Sequence, residues 1–413
     1  MNIYNIKYKV LLGGIYLETV SKKMLGIDIE RLENCKGLNT AKEIIQQPSV
    51  WKEAGDRLYK NKDNINLFID TFLKKENSRI ILTGAGTSAF AGETCEPYLS
   101  KLLSKKVEAI ATTDLVASPK NYFIKDVPTL LISFARSGNS PESVHAVKLA
   151  SQIVNELYQI VITCNENGKL AKNTSKDEKS LLLLLPQKTN DLGFAMTSSF
   201  TTMVLSCIGA FNIKNIEKFI KDIDKLSESV ELFIEENIEN IDKLVSEDFD
   251  RIIYLGSSTS KAIARESALK VLELTAGIVN ASYDTPLGFR HGPKSVINDN
   301  SMTVIYISND NYTKLYDLDL AKEMLAHRKK DKVVLVGSEI EEKFKKYADY
   351  VFELKNIKYN LENQALLPIQ QIIFGQIVSF LKSEKLGITP DNPCPTGEVN
   401  RVVKGVILHD LNK

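Results

Sequence analysis

Ten short apolar runs, in two sets of five with a helical or loop stretch between neighbours, constrain this 413-residue chain to an α/β fold. The first set lies at residues 79–83, 107–111, 129–133, 158–163 and 181–185, the second at 251–255, 278–282, 302–308, 332–336 and 350–354. A strand that is apolar along its whole length has both faces buried, as when crossover helices cover a parallel sheet on either side. The spacing predicts two tandem domains, each a five-stranded parallel sheet between two helical layers. Leu82-Thr-Gly-Ala-Gly-Thr-Ser88 sits 172 positions before Tyr254-Leu-Gly-Ser-Ser-Thr-Ser260. Both sets thus open with a strand, a glycine turn and a Thr-Ser pair, and the chain reads as an internal duplication.

A chain of this length suits two domains with two cores. It divides into an N-terminal extension (1–23), a helical arm (24–78), a first domain (79–211), a helical connector (212–249), a second domain (250–385) and a tail (386–413). In the arm, residues 39–51 read as a capped helical start that meets a break at Pro48, and a second helix covers 51–75. The connector is amphipathic and holds neither glycine nor proline. Residues 10–17 follow Lys7 and Lys9 and resemble a weak secretion-signal core, but Gly13 and Gly14 interrupt them and no small-residue cleavage site follows. They are far shorter than the roughly 20 residues of a membrane span, and no other stretch approaches one. The extension reads as untidy, with Met24 opening a better-behaved sequence.

With 53 basic and 52 acidic residues, the chain carries no charge excess that would suit nucleic acid or an anionic membrane as its main partner. A small polar ligand fits better. Five widely spaced cysteines (Cys35, Cys95, Cys164, Cys207, Cys394) include no C-x-x-C, which suggests neither a disulfide framework nor a zinc ribbon and fits a reducing cytoplasm.

The strongest ligand signal follows the third strand. Between that strand and a helix opening near Pro141 stand Arg136, Ser137, Gly138, Asn139 and Ser140. They offer backbone N–H groups, two hydroxyls and a cation beside the positive end of a helix dipole, which is how a parallel sheet holds phosphate. An ordinary helix N-cap would need fewer polar groups. In the second repeat the corresponding strand runs into Ser308-Asn-Asp-Asn-Tyr312, without the Ser-Gly-x-Ser pattern, so one phosphate site per chain is expected.

Gly84-Ala-Gly-Thr-Ser-Ala89 also fits the dinucleotide pattern, with Asp114 as ribose ligand, but the pattern alone is weak and the spacing from Gly86 to Asp114 is longer than the usual roughly 20 residues. A nicotinamide reading would leave the 136–140 turn unexplained. Thr87 and Ser88, at a helix start, favour contact with an anion or a sugar.

A helix over 261–276 supplies the candidate proton-moving groups. Its apolar residues cover some 240° of the circumference, and Glu266, Lys270 and Glu273 fall within about 60° inside the remaining arc. Two readings stay open. The three form a solvated stripe of i,i+3 and i,i+4 ion pairs, or they face a cleft where a glutamate acts as an acid-base group beside a lysine. Of four histidines, His291 lies in the Pro- and Gly-rich loop Thr285-Pro-Leu-Gly-Phe-Arg-His-Gly-Pro293, while His145 and His327 read as structural or solvent-facing. No histidine-carboxylate spacing suggests a metal.

Taken together, the 133–143 turn, the Gly84–Ser88 turn, Lys270 to Glu273 and Phe289-Arg-His-Gly-Pro293 resemble the sugar isomerase (SIS) family, including the isomerase half of glucosamine-6-phosphate synthase. Asn39-Thr-Ala-Lys-Glu-Ile-Ile-Gln-Gln-Pro48, Gly193-Phe-Ala-Met-Thr-Ser-Ser-Phe200 and Gly397-Glu-Val-Asn-Arg-Val-Val-Lys404 are similar to its galactosamine-6-phosphate deaminase/isomerases, also called tagatose-6-phosphate ketose/aldose isomerases. The resemblance covers nearly everything from about residue 38 onward. It implies that Ser88, Ser137 and Ser140 hold a sugar phosphate, with Arg136 standing where the synthase has a glutamine; Thr87 and Arg136 join them as candidate phosphate-binding residues from their places in the two turns. Glu273 would shuttle a proton between C1 and C2, Lys270 would hold the open-chain sugar, His291 would assist ring opening, and Lys404 in the tail would complete the site. In the synthase the histidine comes from a neighbouring subunit, so a homodimer or higher homo-oligomer is implied. No glutaminase half precedes the first strand, which turns the expected chemistry toward hydrolytic release of ammonia from a hexosamine 6-phosphate. Neither metal nor redox cofactor is implied. Alternatives are a plain aldose-ketose isomerase, a glucosamine-6-phosphate deaminase and a non-catalytic sugar-phosphate sensor.

Overall fold

The structure, a computed structural model, describes residues 4–12, 15–174, 178–326, 330–355, 357–361, 363–401, 403 and 405–411. The chain opens with an antiparallel hairpin, β1 (Tyr4–Leu12) and β2 (Ile15–Met24), extended by β3 (Ile27–Asp28). The stretch expected to be untidy is therefore regular. Tyr4, Ile6, Tyr8 and Val10 alternate with Asn5, Lys7 and Lys9, the period-two pattern of a strand, which the 10–17 apolar run concealed. Leu25 and Gly26, both at positive φ, make the tight turn into β3.

The arm holds α1 (Leu38–Ile45), α2 (Gln47–Lys60) and α3 (Lys62–Leu73). The single helix expected over 51–75 begins earlier, because Pro48 suits a first helical turn. It is divided at Asn61, whose side-chain amide donates to the Arg57 carbonyl at 2.8 Å and satisfies a last-turn acceptor. Trp51 is fully buried, with its indole N–H on Thr201 Oγ1 at 2.9 Å.

Two parallel sheets follow, as expected. The first comprises β4 (Arg79–Thr83), β5 (Lys106–Ala109), β6 (Thr129–Ala135), β7 (Leu157–Thr163) and β8 (Ser180–Leu184) in the order β5-β4-β6-β7-β8. The second comprises β9 (Arg251–Gly256), β10 (Asn280–Asp284), β11 (Ser301–Tyr306), β12 (Lys332–Gly337) and β13 (Tyr350–Glu353) in the order β10-β9-β11-β12-β13. The longer helices flanking and joining them are α4 (Thr87–Leu103), α5 (Pro141–Ile153), α6 (Ser198–Phe211), α7 (Ile216–Val245), α8 (Thr259–Leu274), α9 (Asn311–Ala326) and α10 (Asn363–Lys385). In each sheet the strand order reverses between the first and third strands, opening a crevice at their carboxyl ends. In the first sheet both the glycine turn and the 136–140 turn border that crevice.

The duplication persists in backbone detail. Gly86 adopts φ 57°, ψ −130° before α4, and Ser258 adopts φ 54°, ψ −125° at the same point before α8. A Cβ on Gly84 would lie 2.5 Å from the Ser88 carbonyl carbon, and one on Gly256 2.3 Å from the Ser260 carbonyl oxygen. Glycine is required at both turns for this close approach.

The halves do not keep two separate main cores. The largest apolar cluster runs from Ile80 and Phe134 through Phe219 and Phe233 to Tyr254, Val304 and Phe374. The reason is that α7 packs on α2 and α10, while α10 packs on α8 and reaches α4 and α6 of the first repeat, so the connector is core. By length and composition Ala365–Lys385 could cross a membrane, which the sequence reading overlooked, but this segment is buried within the fold. Gln371 on α10 accepts from Ser260 Oγ at 2.6 Å and donates to the Ile307 carbonyl at 3.1 Å, while Gln376 accepts from Gln47 at 2.7 Å.

Candidate active site

The packing of α8 against α4 creates the group of greatest chemical interest. Lys270 Nζ, fully buried, lies 2.5 Å from Glu273 Oε2, 3.3 Å from Glu266 Oε1 and 3.0 Å from Thr87 Oγ1. The Thr87 hydroxyl donates onward to Glu266 Oε1 at 3.2 Å. Glu266 is buried completely, whereas the Glu273 side chain is 22% exposed. The stripe is therefore no solvated face: the first turn of α4, belonging to the other repeat, closes over it, and only Glu273 reaches the surface.

Burial pushes the Glu266 carboxyl up to about 8 despite the opposing pull of Lys270. Its second oxygen, Oε2, is buried without a hydrogen-bond partner among the described residues, so the proton has a place to rest. Burial works against the Lys270 ammonium, but Glu266 and Glu273 outweigh it and hold its pKa above the ordinary value. A cation fixed beside an accessible carboxylate is equipped to steady negative charge while the carboxylate moves a proton.

The 136–140 turn is shaped from behind. Gly138 takes φ +64°, and Gly168 passes so close that a Cβ there would meet the Ser137 carbonyl at 2.6 Å. Asn165 Nδ2 donates to that carbonyl at 2.9 Å, and the Lys169 N–H donates to Asn139 Oδ1 at 3.0 Å. Ser137 Oγ accepts from the Asn139 N–H at 3.2 Å, and Ser140 Oγ donates to Ser143 Oγ at 2.6 Å. Across the crevice, Ser88 is buried at the start of α4 with Met196 Sδ 3.9 Å from its hydroxyl.

Arg136 is 8% exposed, and both terminal nitrogens are engaged, Nη1 with the Phe194 carbonyl at 3.2 Å and Nη2 with the Arg401 carbonyl at 3.0 Å. Arg401 in turn donates to the Asp191 carbonyl. Asp191 anchors the start of α6, accepting from the N–H groups of Thr197 and Ser199 at 2.9 Å each, from Ser199 Oγ at 2.6 Å, and from Ser198 Oγ. The tail thus folds back onto the first repeat. Further along, the His409 carbonyl lies 3.1 Å from His145 Nε2, and Asp410 pairs with Lys148 at 3.3 Å.

His291 stands apart from this group. It is exposed, and among the described residues its ring makes no hydrogen bond. Its loop is well fastened, since Thr285 caps the short helix Pro286–Phe289 and Glu323 of α9 pairs with Arg290 at 2.7 Å and Lys294 at 2.5 Å. Lys404 and His327 fall outside the described residues. Sequence reasoning did not single out Asp191 or Arg401, and it set Glu266 on the same arc as Lys270 and Glu273 without giving it a role. Glu266 was visible as the i−4 neighbour of Lys270, and Asp191 as an acid shortly before the Thr-Ser-Ser start of α6.

A family model for the SIS domain matches residues 72–212 and 244–360. The D-galactosamine-6-phosphate deaminase AgaS of Escherichia coli is 41% identical over 90% of this chain and 96% of its own length. The protein of that name from Shewanella sp. strain ANA-3 is 40% identical over 94% of this chain and 96% of its own. Among solved structures, the tagatose-6-phosphate ketose/aldose isomerase of E. coli superposes with a TM-score of 0.84 at 38% identity, covering 91% of this chain and 98% of that one. A crystal structure from Clostridium novyi NT superposes with a TM-score of 0.92 at 46% identity, over 94% of this chain and 100% of the other. The chain belongs to the SIS domain family.

Proposed function

We propose that the chain converts galactosamine 6-phosphate and water to tagatose 6-phosphate and ammonia. The phosphate docks at Ser88, Ser137 and Ser140, and His291 of a neighbouring copy in a homodimer helps open the ring. Glu273 then removes the C2 proton and delivers it to C1. The enolamine formed on the first transfer becomes a C2 imine on the second, water adds to C2, and the C–N bond breaks to leave a ketone and ammonia. Lys270 steadies the negative charge that builds on the C1 oxygen as C2 loses its proton. Holding the phosphate far from C1 and C2 supplies orientation rather than chemistry.

The observation that carries this reading is the contrast within α8: of three adjacent ionisable groups, only Glu273 is exposed, and it is held 2.5 Å from a buried lysine. The names of the relatives supply the substrate class. Five free thiols fit a reducing cytoplasm. The second reading, aldose-ketose isomerisation without loss of nitrogen, is supported by the name of the E. coli structure and would use the same glutamate. A panel of galactosamine 6-phosphate, glucosamine 6-phosphate and tagatose 6-phosphate, assayed for ammonia and for sugar products, separates them. Ammonia from the galacto amino sugar is expected; turnover of tagatose 6-phosphate with no ammonia from either amino sugar would reject the deaminase reading.

A further inference from the structure

Arg136 lies in the turn that the function above assigns to phosphate, yet both of its terminal nitrogens are turned to backbone carbonyls. A guanidinium grips phosphate through paired N–H groups on its terminal nitrogens. Here each terminal nitrogen already donates to a backbone carbonyl, one in the loop before α6 (Phe194) and one in the tail (Arg401). The residue is 8% exposed, so the bonds form where water competes weakly. Burial lowers the Arg136 pKa, and the like charge of Arg401 lowers it further, against Asp191 and Glu273. The two arginines interlock: Arg136 holds the Arg401 carbonyl while the Arg401 side chain holds the Asp191 carbonyl, three residues before Phe194.

We propose that Arg136 is a positioning residue, which sets the tail against the phosphate turn by bridging the Phe194 and Arg401 carbonyls and leaves phosphate contact to Ser88, Ser137 and Ser140. The role rests on the reading of 136–140 as the phosphate turn. It explains why an arginine, with two terminal nitrogens in a fixed plane, stands here: a lysine offers a single ammonium and cannot span two carbonyls from separate segments in the same way. The tail at Arg401 is then registered to the turn that receives the substrate.

The test uses the full chain and compares wild type with Arg136→Lys, which keeps the charge, and Arg136→Gln, which removes it and serves should the lysine variant fold poorly. Both should lower kcat for galactosamine 6-phosphate by about 10- to 100-fold, the scale of a misplaced group, with KM changed less than about threefold. Both should also speed trypsin cleavage after Arg401 by about fivefold or more, while the affinity for inorganic phosphate holds. A KM and phosphate affinity weakened about tenfold in Arg136→Gln and restored by lysine, with tail cleavage at the wild-type rate, would overturn the proposal in favour of direct phosphate contact. The cleavage arm needs no substrate. A wild type that fails to release ammonia counts against the proposed reaction, and unchanged cleavage in both variants counts against the role of Arg136.

Discussion

Replacing Glu266 with glutamine should stabilise the protein, and by an amount that grows with pH. Glu266 is wholly buried and its carboxyl is pushed up to about 8 from the ordinary 4.5, chiefly by burial. The native state therefore retains a proton that the unfolded chain gives up above about pH 4.5. Its contribution to stability is full below that value, declines by about 1.4 kcal/mol per pH unit as pH rises toward 8, and is flat beyond, a total on the order of 5 kcal/mol. Glutamine has the shape of the protonated acid and does not ionise in either state. The gap between Glu266→Gln and wild type should thus widen by about 3 kcal/mol from pH 5.5 to 8.5. Thermal unfolding followed by circular dichroism at both values reads this as a difference of several degrees in Tm that opens at the higher pH. Parallel pH profiles for the two proteins, or a gap that narrows as pH rises, would refute the argument that Glu266 is held protonated by burial.

Lys270→Met removes the cation 2.5 Å from Glu273 and should cost about 100- to 1,000-fold in kcat, measured by ammonia release, while sugar-phosphate binding persists. On the proposed docking, Ser137→Ala deletes a hydroxyl donor to a charged phosphate, and so does Ser140→Ala once its hydroxyl turns from Ser143 to the phosphate; each donor is worth about 1.5–3 kcal/mol, and each variant should raise KM about 10- to 100-fold with little change in kcat. Gly84→Ala would place a Cβ 2.5 Å from backbone at Ser88, and the overpacking should cost about 1–3 kcal/mol, seen as a lower denaturation midpoint in urea.

Much of the fold was legible because its central strands, such as β4, β6, β9, β11 and β12, are buried on both faces and so appear as apolar runs rich in Ile, Leu and Val. The run read at 278–282 shows where that rule slips. Ala276 and Gly277 take positive φ at the end of α8, and the Ile278 N–H returns to the Thr275 carbonyl at 3.0 Å. Ile278 is consequently 60% exposed and belongs to the turn, and β10 starts at Asn280. The candidate proton-moving group was half legible. Helical spacing put Glu266, Lys270 and Glu273 on one arc, but whether the arc met water or protein depended on Thr87, 183 positions away, and no local pattern encodes that contact. Arg136 shows the same limit: its neighbours in sequence announced a phosphate turn, and its bonding partners lie 58 and 265 positions off. Periodicity reports which face is buried and not what covers it.

On the proposed mechanism, Glu273 moves the proton that leads to loss of nitrogen. Coupled measurement of ammonia and tagatose 6-phosphate from galactosamine 6-phosphate, for wild type and Glu273→Gln, tests it most directly. Wild type should give equal amounts of the two products, and a folded Glu273→Gln that still binds the sugar phosphate should give neither. Ammonia released by Glu273→Gln at the wild-type rate would contradict that mechanism.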